Sequence, residues 1–192
     1  MASRIPLNRP LWLEGADTRY PALAGEVAVD VVVVGGGMTG VTTAYLLKQA
    51  GKSVALLEAS RVGFGATGYT TAKLTVGHNL VYHDLANRHG EDAARLYARS
   101  NQNAIERVTA IVREHRIECD LEGTSNFVYT ESEAAVGDLE AELEAARAAG
   151  IDATLTTETD LPYPVAAALR VDDQAQIPPL EVPRGARAAR RR

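Results

Sequence analysis

The chain has 192 residues, of which 46% are hydrophobic and 23% charged, and its formal net charge is −5. These values fit one soluble globular domain or slightly more. A single cysteine excludes an internal disulfide and a cysteine metal cluster, and none of the four histidines forms the pair spacing of a helical zinc site, so we expect no metal. The acidic body offers no basic stripe for nucleic acid. No apolar run approaches the roughly 20 residues of a membrane span, and the polar N-terminus lacks the pattern of a signal peptide, so we expect a cytoplasmic protein.

A strand, a helix and a second strand are predicted between residues 29 and 58. Residues 29–34 read VDVVVV, and the unbroken valine run predicts a central parallel strand that is buried on both faces. A helix follows over residues 38–50, and Gly51 is expected to end it as a C-terminal cap. Residues 53–58 then predict a second strand. Together they form a βαβ unit.

The turn after the first strand carries the pattern G-x-G-x-x-G. Gly35 permits the tight turn, Gly37 permits close approach of a pyrophosphate, and Gly40 permits close packing of helix on strand. The helix N-terminus offers free N–H groups to phosphates. Glu58 lies 18 residues after Gly40, where a carboxylate accepts hydrogen bonds from an adenosine ribose and disfavours a 2′-phosphate. NAD and FAD both remain candidates at this point.

The segment after Glu58 favours FAD over NAD. Residues 59–76 are rich in glycine and threonine and predict a loop with a short helical turn. Such small residues suggest that the backbone closely approaches a second part of a longer ligand, which the ribityl chain and ring of FAD provide. An NAD-binding domain would normally continue with its next helix or strand.

The remaining elements are one long helix, short strands and an acidic helix. The long helix is predicted over residues 91–116, and the strands over 126–130, 151–157 and 168–173. Thr130 and Glu133 fit a capping box for a helix that ends at Gly150. Six acidic residues lie between Glu131 and Glu144, and we interpret them as a solvated helix face.

The stretch from DVVVVGGGMTG to GFGATGYTTAKLT resembles the N-terminus of the D-amino acid oxidase-like (DAO) flavoproteins. Within them it is similar to the glycine/D-amino acid oxidase type that often carries a C-terminal Rieske domain. The resemblance covers about residues 10–177. It implies an α/β fold: an incomplete Rossmann-like βαβ FAD-binding domain of the GR2/DAO type, with the start of an α+β substrate domain. The implied division is a lead-in (1–27, packed by Trp12, Leu13 and Tyr20), the FAD-binding part (28–116), the start of the substrate domain (117–177) and a tail (178–192).

The resemblance also implies a function and a set of cofactor residues, with FAD as the cofactor. DAO proteins oxidise a C–N bond of an amine or amino acid by hydride transfer to the flavin. A lysine beside the ring could stabilise negative charge on the reduced flavin. The catalytic residues stay unknown. By this resemblance, the residues expected to contact the pyrophosphate are Gly35, Gly37, Met38 and Gly40, and those on the adenosine side are Glu58, Ala59 and Arg61. The residues expected near the pyrophosphate and ribityl chain are Gly65, Ala66 and Thr67. Those expected near the flavin ring are Thr70, Thr71 and Lys73.

The C-terminus departs from the family pattern. The last eleven residues hold five arginines and no acid, and we expect a disordered tail from a frameshifted or truncated product; a basic anion-binding arm is the alternative. A truncated chain would keep the ADP half-site and lack most of the substrate site. A non-catalytic FAD- or ADP-binding fragment and an NAD-binding dehydrogenase domain therefore stay open as alternative functions. The substrate, the electron acceptor and the oligomeric state are not predicted.

Overall fold

The computed structural model describes Trp12 and residues 20–179. The chain forms two compact units. Of the described residues, the first contains those up to Ala72 together with residues 112–120 and 178–179, and the second contains residues 73–111 and 121–177. The domain boundaries given above stay a prediction. The tail prediction for residues 180–192 lies outside the described residues.

The first unit contains the predicted βαβ motif. Strand β1 (Val31–Val34) and strand β2 (Val54–Leu57) pair in parallel, with Val31 opposite Val54, and helix α1 (Met38–Gln49) connects them. The prediction of strand, helix and strand is confirmed, with ends that differ by one or two residues. Gly51 adopts a φ of +77° directly after the helix, which is the conformation expected of a C-terminal glycine cap.

The valine run is not buried on both faces, so that prediction is wrong for the described residues. Val33 lies on the face towards α1, where its Cγ1 would be 3.5 Å from a Cβ placed on Gly40. Val32 and Val34 lie on the other face and are 52% and 82% exposed. The described sheet of this unit has only two strands. Because α1 covers one face alone, the alternate valines stay open to solvent.

The glycine- and threonine-rich segment is mostly loop, as predicted. It contains a short 3-10 helix (Ala66–Tyr69) and ends at strand β3 (Lys73–Leu74). The N–H of Gly63 donates to the carbonyl of Gly36 at 2.8 Å. This hydrogen bond joins the segment of residues 59–76, called the second loop below, to the first glycine turn, residues 35–40.

The second unit is a sheet with helices against one face. Strand β6 (Ala167–Gln176) is central and pairs antiparallel with strand β4 (Glu122–Thr130) on one edge and with β5 (Ala153–Thr156) and β3 on the other. The helices are α2 (Val81–His89), α3 (Glu91–Glu114, whose last residues belong to the first unit) and α4 (Val136–Ala148). Side chains of β6 such as Leu169 and Val171 share one apolar core with residues of the three helices. None of the helices among the described residues is long and apolar enough to cross a membrane.

The predicted capping box does not form. The hydroxyl of Thr130 accepts the N–H of Ser132 at 3.1 Å, and a 3-10 turn (Glu133–Ala135) precedes α4. No side chain caps the first residue of α4. A local turn made by the threonine hydroxyl therefore competes successfully with the cap.

Glu142 is an exception to the predicted solvated acidic face. Its side chain is fully buried, and its two carboxylate oxygens accept the N–H groups of Tyr82 (2.9 Å) and His83 (2.7 Å) at the start of α2. Burial raises the pKa of Glu142, and the two backbone donors oppose this shift. One carboxylate of α4 thus satisfies two backbone donors that the first turn of α2 leaves without intrahelical partners.

We predict that Glu142→Ala lowers the free energy of unfolding by about 3 kcal/mol, because it leaves two buried backbone donors without partners. Urea denaturation followed by circular dichroism measures the loss. Glu140→Ala, an exposed position in the same helix, is the matched control and should change stability by less than about 0.5 kcal/mol. Equal effects of the two substitutions would contradict the capping role.

Candidate functional site

The site is built around the turn that ends β1. Gly35 has a φ of +104°, a conformation that favours glycine, and its N–H donates to the carbonyl of Leu57 at 2.8 Å. A Cβ on Gly40 would lie 1.9 Å from the carbonyl oxygen of Gly35. Only hydrogen fits at that position, so Gly40 sets how closely α1 approaches the end of β1.

The N-terminus of α1 is a favourable place for an anion. Gly37 precedes the helix without a side-chain cap, and the first turn contains no acidic residue. The N–H of Met38 donates to the hydroxyl oxygen of Thr67 at 2.9 Å. The helix dipole adds partial positive charge here, and Thr67 brings a polar side chain of the second loop to the same point.

Glu58 follows β2 and is fixed by the backbone. One carboxylate oxygen accepts the N–H of Gly36 at 2.7 Å and the other accepts the N–H of Ser60 at 2.8 Å. The hydrogen bond from Gly36, followed by that from Ser60, holds the pKa of Glu58 below its ordinary value. The carboxylate is therefore charged at neutral pH and held against the first glycine turn.

The second loop contains aromatic contacts that the sequence interpretation missed. The guanidinium carbon of Arg61 lies 4.3 Å from the ring centroid of Phe64, a cation–π contact. Phe64 in turn packs edge-on against Tyr69, with ring centroids 6.4 Å apart. In the sequence, the signal that could have indicated these contacts was the presence of Phe64 and Tyr69 within a run of glycines and threonines.

The lead-in reaches this loop through Trp12. Its indole N–H donates to the carbonyl of Thr70 at 2.9 Å, which agrees with the expected packing of this residue. Tyr20, also expected to pack, is 55% exposed, and Leu13 lies outside the described residues.

The structure brings part of the predicted residue set together within the first unit. Direct contacts link the first turn to Glu58 and Thr67. The carbonyl of Gly65 accepts the N–H of Gly68, and Thr70 and Thr71 follow the 3-10 helix. Lys73 belongs to the second unit, where β3 pairs it with Gln176. The roles given to these residues stay predictions, including those of Ala59, Arg61 and Ala66.

Comparison with known proteins identifies the family of the chain. Residues 30–192 match the family model described as "DAO: FAD dependent oxidoreductase". The chain belongs to the DAO family of FAD-dependent oxidoreductases. FAD, the cofactor predicted from the sequence, is the cofactor of this family. The α/β fold class predicted from the sequence is confirmed.

Among curated relatives, the DAO-family chain is 40% identical over 162 residues to the putative Rieske 2Fe-2S iron-sulfur protein YhfW of Bacillus subtilis, covering 84% of this chain and 32% of that protein. It is 33% identical over 109 residues to gamma-glutamylputrescine oxidoreductase of Escherichia coli, covering 57% of this chain and 26% of that protein. The chain thus spans about a third or less of the length of these relatives.

Solved structures share the fold at low sequence identity. Glycine oxidase from Bacillus cereus superposes with a TM-score of 0.61 at 16% identity, over 84% of this chain and 43% of that one. An L-amino acid deaminase from Proteus vulgaris gives a TM-score of 0.66 at 13% identity, over 94% of this chain and 48% of that one. At these identities the likeness shows the fold alone.

We predict that Gly40→Ala lowers the free energy of unfolding by about 1–3 kcal/mol, because the added methyl group collides with backbone. Thermal and urea unfolding measure the change. Gly137→Ala is the matched control: it lies in α4 with open space around the position of the added methyl group, and it should raise stability by roughly 0.5–1 kcal/mol. The close packing would be contradicted if both alanines changed stability in the same direction.

We predict that the Glu58 carboxyl titrates below the ordinary glutamate value and that the Gly36 amide resonance shifts with the same midpoint. Because the folded pKa is lowered, the contact is fully formed above the unfolded pKa and is lost as pH falls through the folded pKa. Nuclear magnetic resonance titration measures both midpoints. The amide of Gly51, which donates to a backbone carbonyl, is the control. A normal or raised midpoint for Glu58 would contradict the contact.

Proposed function

We propose that the chain binds FAD and serves the oxidation of a C–N bond in an amine or amino acid by hydride transfer to the flavin. The observation that carries the proposal is the first glycine turn, with α1 opening on it and Glu58 and Thr67 both hydrogen-bonded to its backbone. Membership of the DAO family supports FAD as the ligand of this turn.

The residues present fit the ADP half of FAD. The missing side chain of Gly37 leaves the backbone accessible, and the acid-free first turn of α1 suits a pyrophosphate. The Thr67 hydroxyl accepts from Met38 and keeps its own proton to donate to a phosphate oxygen. Glu58 would accept hydrogen bonds from the ribose hydroxyls. FAD, when bound, supplies the hydride acceptor.

The charge of Glu58 bears on the choice among nucleotides. A carboxylate held ionised beside the turn repels a ribose 2′-phosphate, which disfavours NADP. The second glycine loop is tied to the first through Gly63 and Gly36. We infer that a ligand reaching both loops binds better than one that ends at the first, which favours FAD over NAD.

The substrate class rests on the names of the relatives. One curated relative is a gamma-glutamylputrescine oxidoreductase, and proteins of the same fold include a glycine oxidase and L-amino acid deaminases. They support an amine or amino acid substrate. Because the chain covers about a third or less of the curated relatives, the activity itself is part of the proposal.

We predict that the chain binds FAD and that Thr67→Val weakens binding by about tenfold, because the hydroxyl bridge between Met38 and the phosphate is lost. Quenching of flavin fluorescence measures the affinity. Thr67→Ser keeps the hydroxyl and should bind like the parent chain. NADH and NADPH, titrated in parallel, should bind more weakly than FAD. Tighter binding of NADH would favour the dehydrogenase alternative, and no binding of FAD would overturn the proposal.

Turnover is tested separately from binding. The FAD-loaded chain is mixed with amines and amino acids, and flavin bleaching is followed without oxygen. Bleaching by one class of substrate supports the oxidoreductase. Binding of FAD without bleaching by any of them would favour the non-catalytic FAD-binding alternative.

A further inference from the structure

Arg61 and Phe64 contact each other across a turn near the start of the second loop. The N–H of Phe64 donates to the carbonyl of Arg61 at 3.1 Å, and the guanidinium carbon of Arg61 lies 4.3 Å from the ring centroid of Phe64. Tyr69 packs edge-on against the same ring, with centroids 6.4 Å apart. Because Arg61 and Phe64 are both half-buried, water competes only in part for the guanidinium, and the cation–π contact holds it on the ring.

The same turn is anchored beside Glu58. The N–H of Gly63 donates to the carbonyl of Gly36 at 2.8 Å, and the N–H of Gly36 donates to one carboxylate oxygen of Glu58 at 2.7 Å. The other carboxylate oxygen accepts the N–H of Ser60, the residue directly before Arg61. Consecutive Cα atoms lie about 3.8 Å apart, so a side chain as long as that of Arg61 starts within reach of the carboxylate.

Arg61 nevertheless does not pair with Glu58. Among the described residues no ion pair or hydrogen bond joins the two side chains, and the guanidinium lies against Phe64 instead. The pKa of Glu58 is lowered by hydrogen bonds from backbone N–H groups, that of Gly36 first and that of Ser60 second, and not by a neighbouring cation. The second loop thus keeps an arginine and a carboxylate apart although they are near neighbours in the chain.

This separation bears on which ribose Glu58 can meet. A carboxylate without a cation keeps its acceptor lone pairs for the ribose hydroxyls and repels a 2′-phosphate, whereas a nearby arginine accommodates that phosphate. A guanidinium placed on Glu58 would occupy its acceptors and neutralise its charge. The position of the Arg61 side chain therefore decides between nucleotides with and without a 2′-phosphate.

We propose that Phe64 is a positioning residue for nucleotide specificity: by holding the Arg61 guanidinium on its ring, it keeps Glu58 available to a ribose with a free 2′-hydroxyl and disfavours a 2′-phosphate. The inference rests on the proposed function, because it concerns the ribose end of the same cofactor. It goes further in assigning the selectivity to a contact within the second loop rather than to Glu58 alone. Phe64→Leu, which offers no aromatic face to a cation, frees Arg61 to pair with Glu58.

The first test uses the full 192-residue chain without ligand and follows the Glu58 carboxyl by nuclear magnetic resonance titration. Phe64→Leu should lower the pKa of Glu58 further, since the freed guanidinium favours the charged carboxylate. Phe64→Tyr keeps an aromatic face and should match the parent chain. Arg61→Gln should leave the Glu58 pKa nearly unchanged, because the guanidinium already lies away from the carboxylate. A raised Glu58 pKa in Arg61→Gln would show that the two side chains pair in the parent and would overturn the inference.

The second test compares NADH with NADPH, which differ only in the 2′-phosphate, as competitors of FAD. The parent chain should prefer NADH, and Phe64→Leu should reduce the ratio of the two affinities by about tenfold, with NADH weakened and NADPH strengthened about threefold each. The double variant Arg61→Gln/Phe64→Leu should regain the parent's preference, because no guanidinium is left to move.

Phe127→Leu is the matched control for the loss of a phenylalanine. Phe127 is the other of the two phenylalanines of the chain, and its ring also lies beside an arginine, with the guanidinium carbon of Arg170 at 5.8 Å from its centroid. The substitution leaves the contact between Arg61 and Phe64 in place, so it should change neither the Glu58 pKa nor the preference for NADH. Amide spectra of each variant establish that it is folded.

The outcomes separate this inference from the proposed function. A parent chain that binds neither FAD nor NADH overturns the proposed function and the specificity with it. In a parent chain that binds FAD, the inference alone is overturned if Phe64→Leu leaves either the Glu58 pKa or the preference for NADH unchanged. Should Phe64→Leu not fold, Arg61→Gln decides through the Glu58 pKa.

Discussion

The close approach of Gly40 to the carbonyl of Gly35 is the constraint on which the candidate cofactor site depends. It brings the first turn of α1 against the end of β1, where the N–H of Gly36 donates to Glu58 and the N–H of Met38 donates to Thr67 of the second loop. A side chain at residue 40 would force the helix back from the strand end. The hydrogen bonds of Glu58 and Thr67 with those two N–H groups therefore depend on residue 40 having no side chain.

Two backbone donors of the turn are already paired with side chains of the same unit, Gly36 with Glu58 and Met38 with Thr67. These pairings have different consequences for a dinucleotide. Glu58 is ionised at neutral pH because its pKa is lowered, so its carboxylate only accepts hydrogen bonds and would meet hydroxyl groups of the ligand. A hydroxyl both accepts and donates, so Thr67 can keep its contact with the helix while it meets a phosphate oxygen. In the proposed complex the chemistry of the two side chains would orient the ligand, with the ribose at Glu58 and the phosphates at Thr67.

The sequence predicted the βαβ unit well because its glycines act locally. The φ of Gly35 and the packing of Gly40 follow from the need for no side chain, which a single sequence displays directly. The exposure of Val32 and Val34 could not be read in the same way. A run of valines indicates that a segment suits a buried strand. Whether the strand is buried depends on what covers the sheet, and the described part of this unit has one helix on one face. The capping box failed for a related reason, because the Thr130 hydroxyl can bond to more than one nearby backbone group and the sequence does not rank them.

For Glu142, the helical spacing of its neighbours indicated burial better than the number of acidic residues in the segment did. Counting acids between Glu131 and Glu144 suggested one solvated face, yet Leu139, Glu142 and Ala146 follow one another at helical spacing and all three are buried. A carboxylate on an apolar stripe requires donors to meet it, and the first turn of α2 provides two. The pairing of β4 with β6 illustrates the opposite limit. Phe127 and Arg170 are 43 residues apart in the chain, and only the register of β4 against β6 places them opposite one another. The glycine turn was therefore predictable from residues that act within it, whereas the choice among local partners at Thr130 and the pairing across strands required the structure.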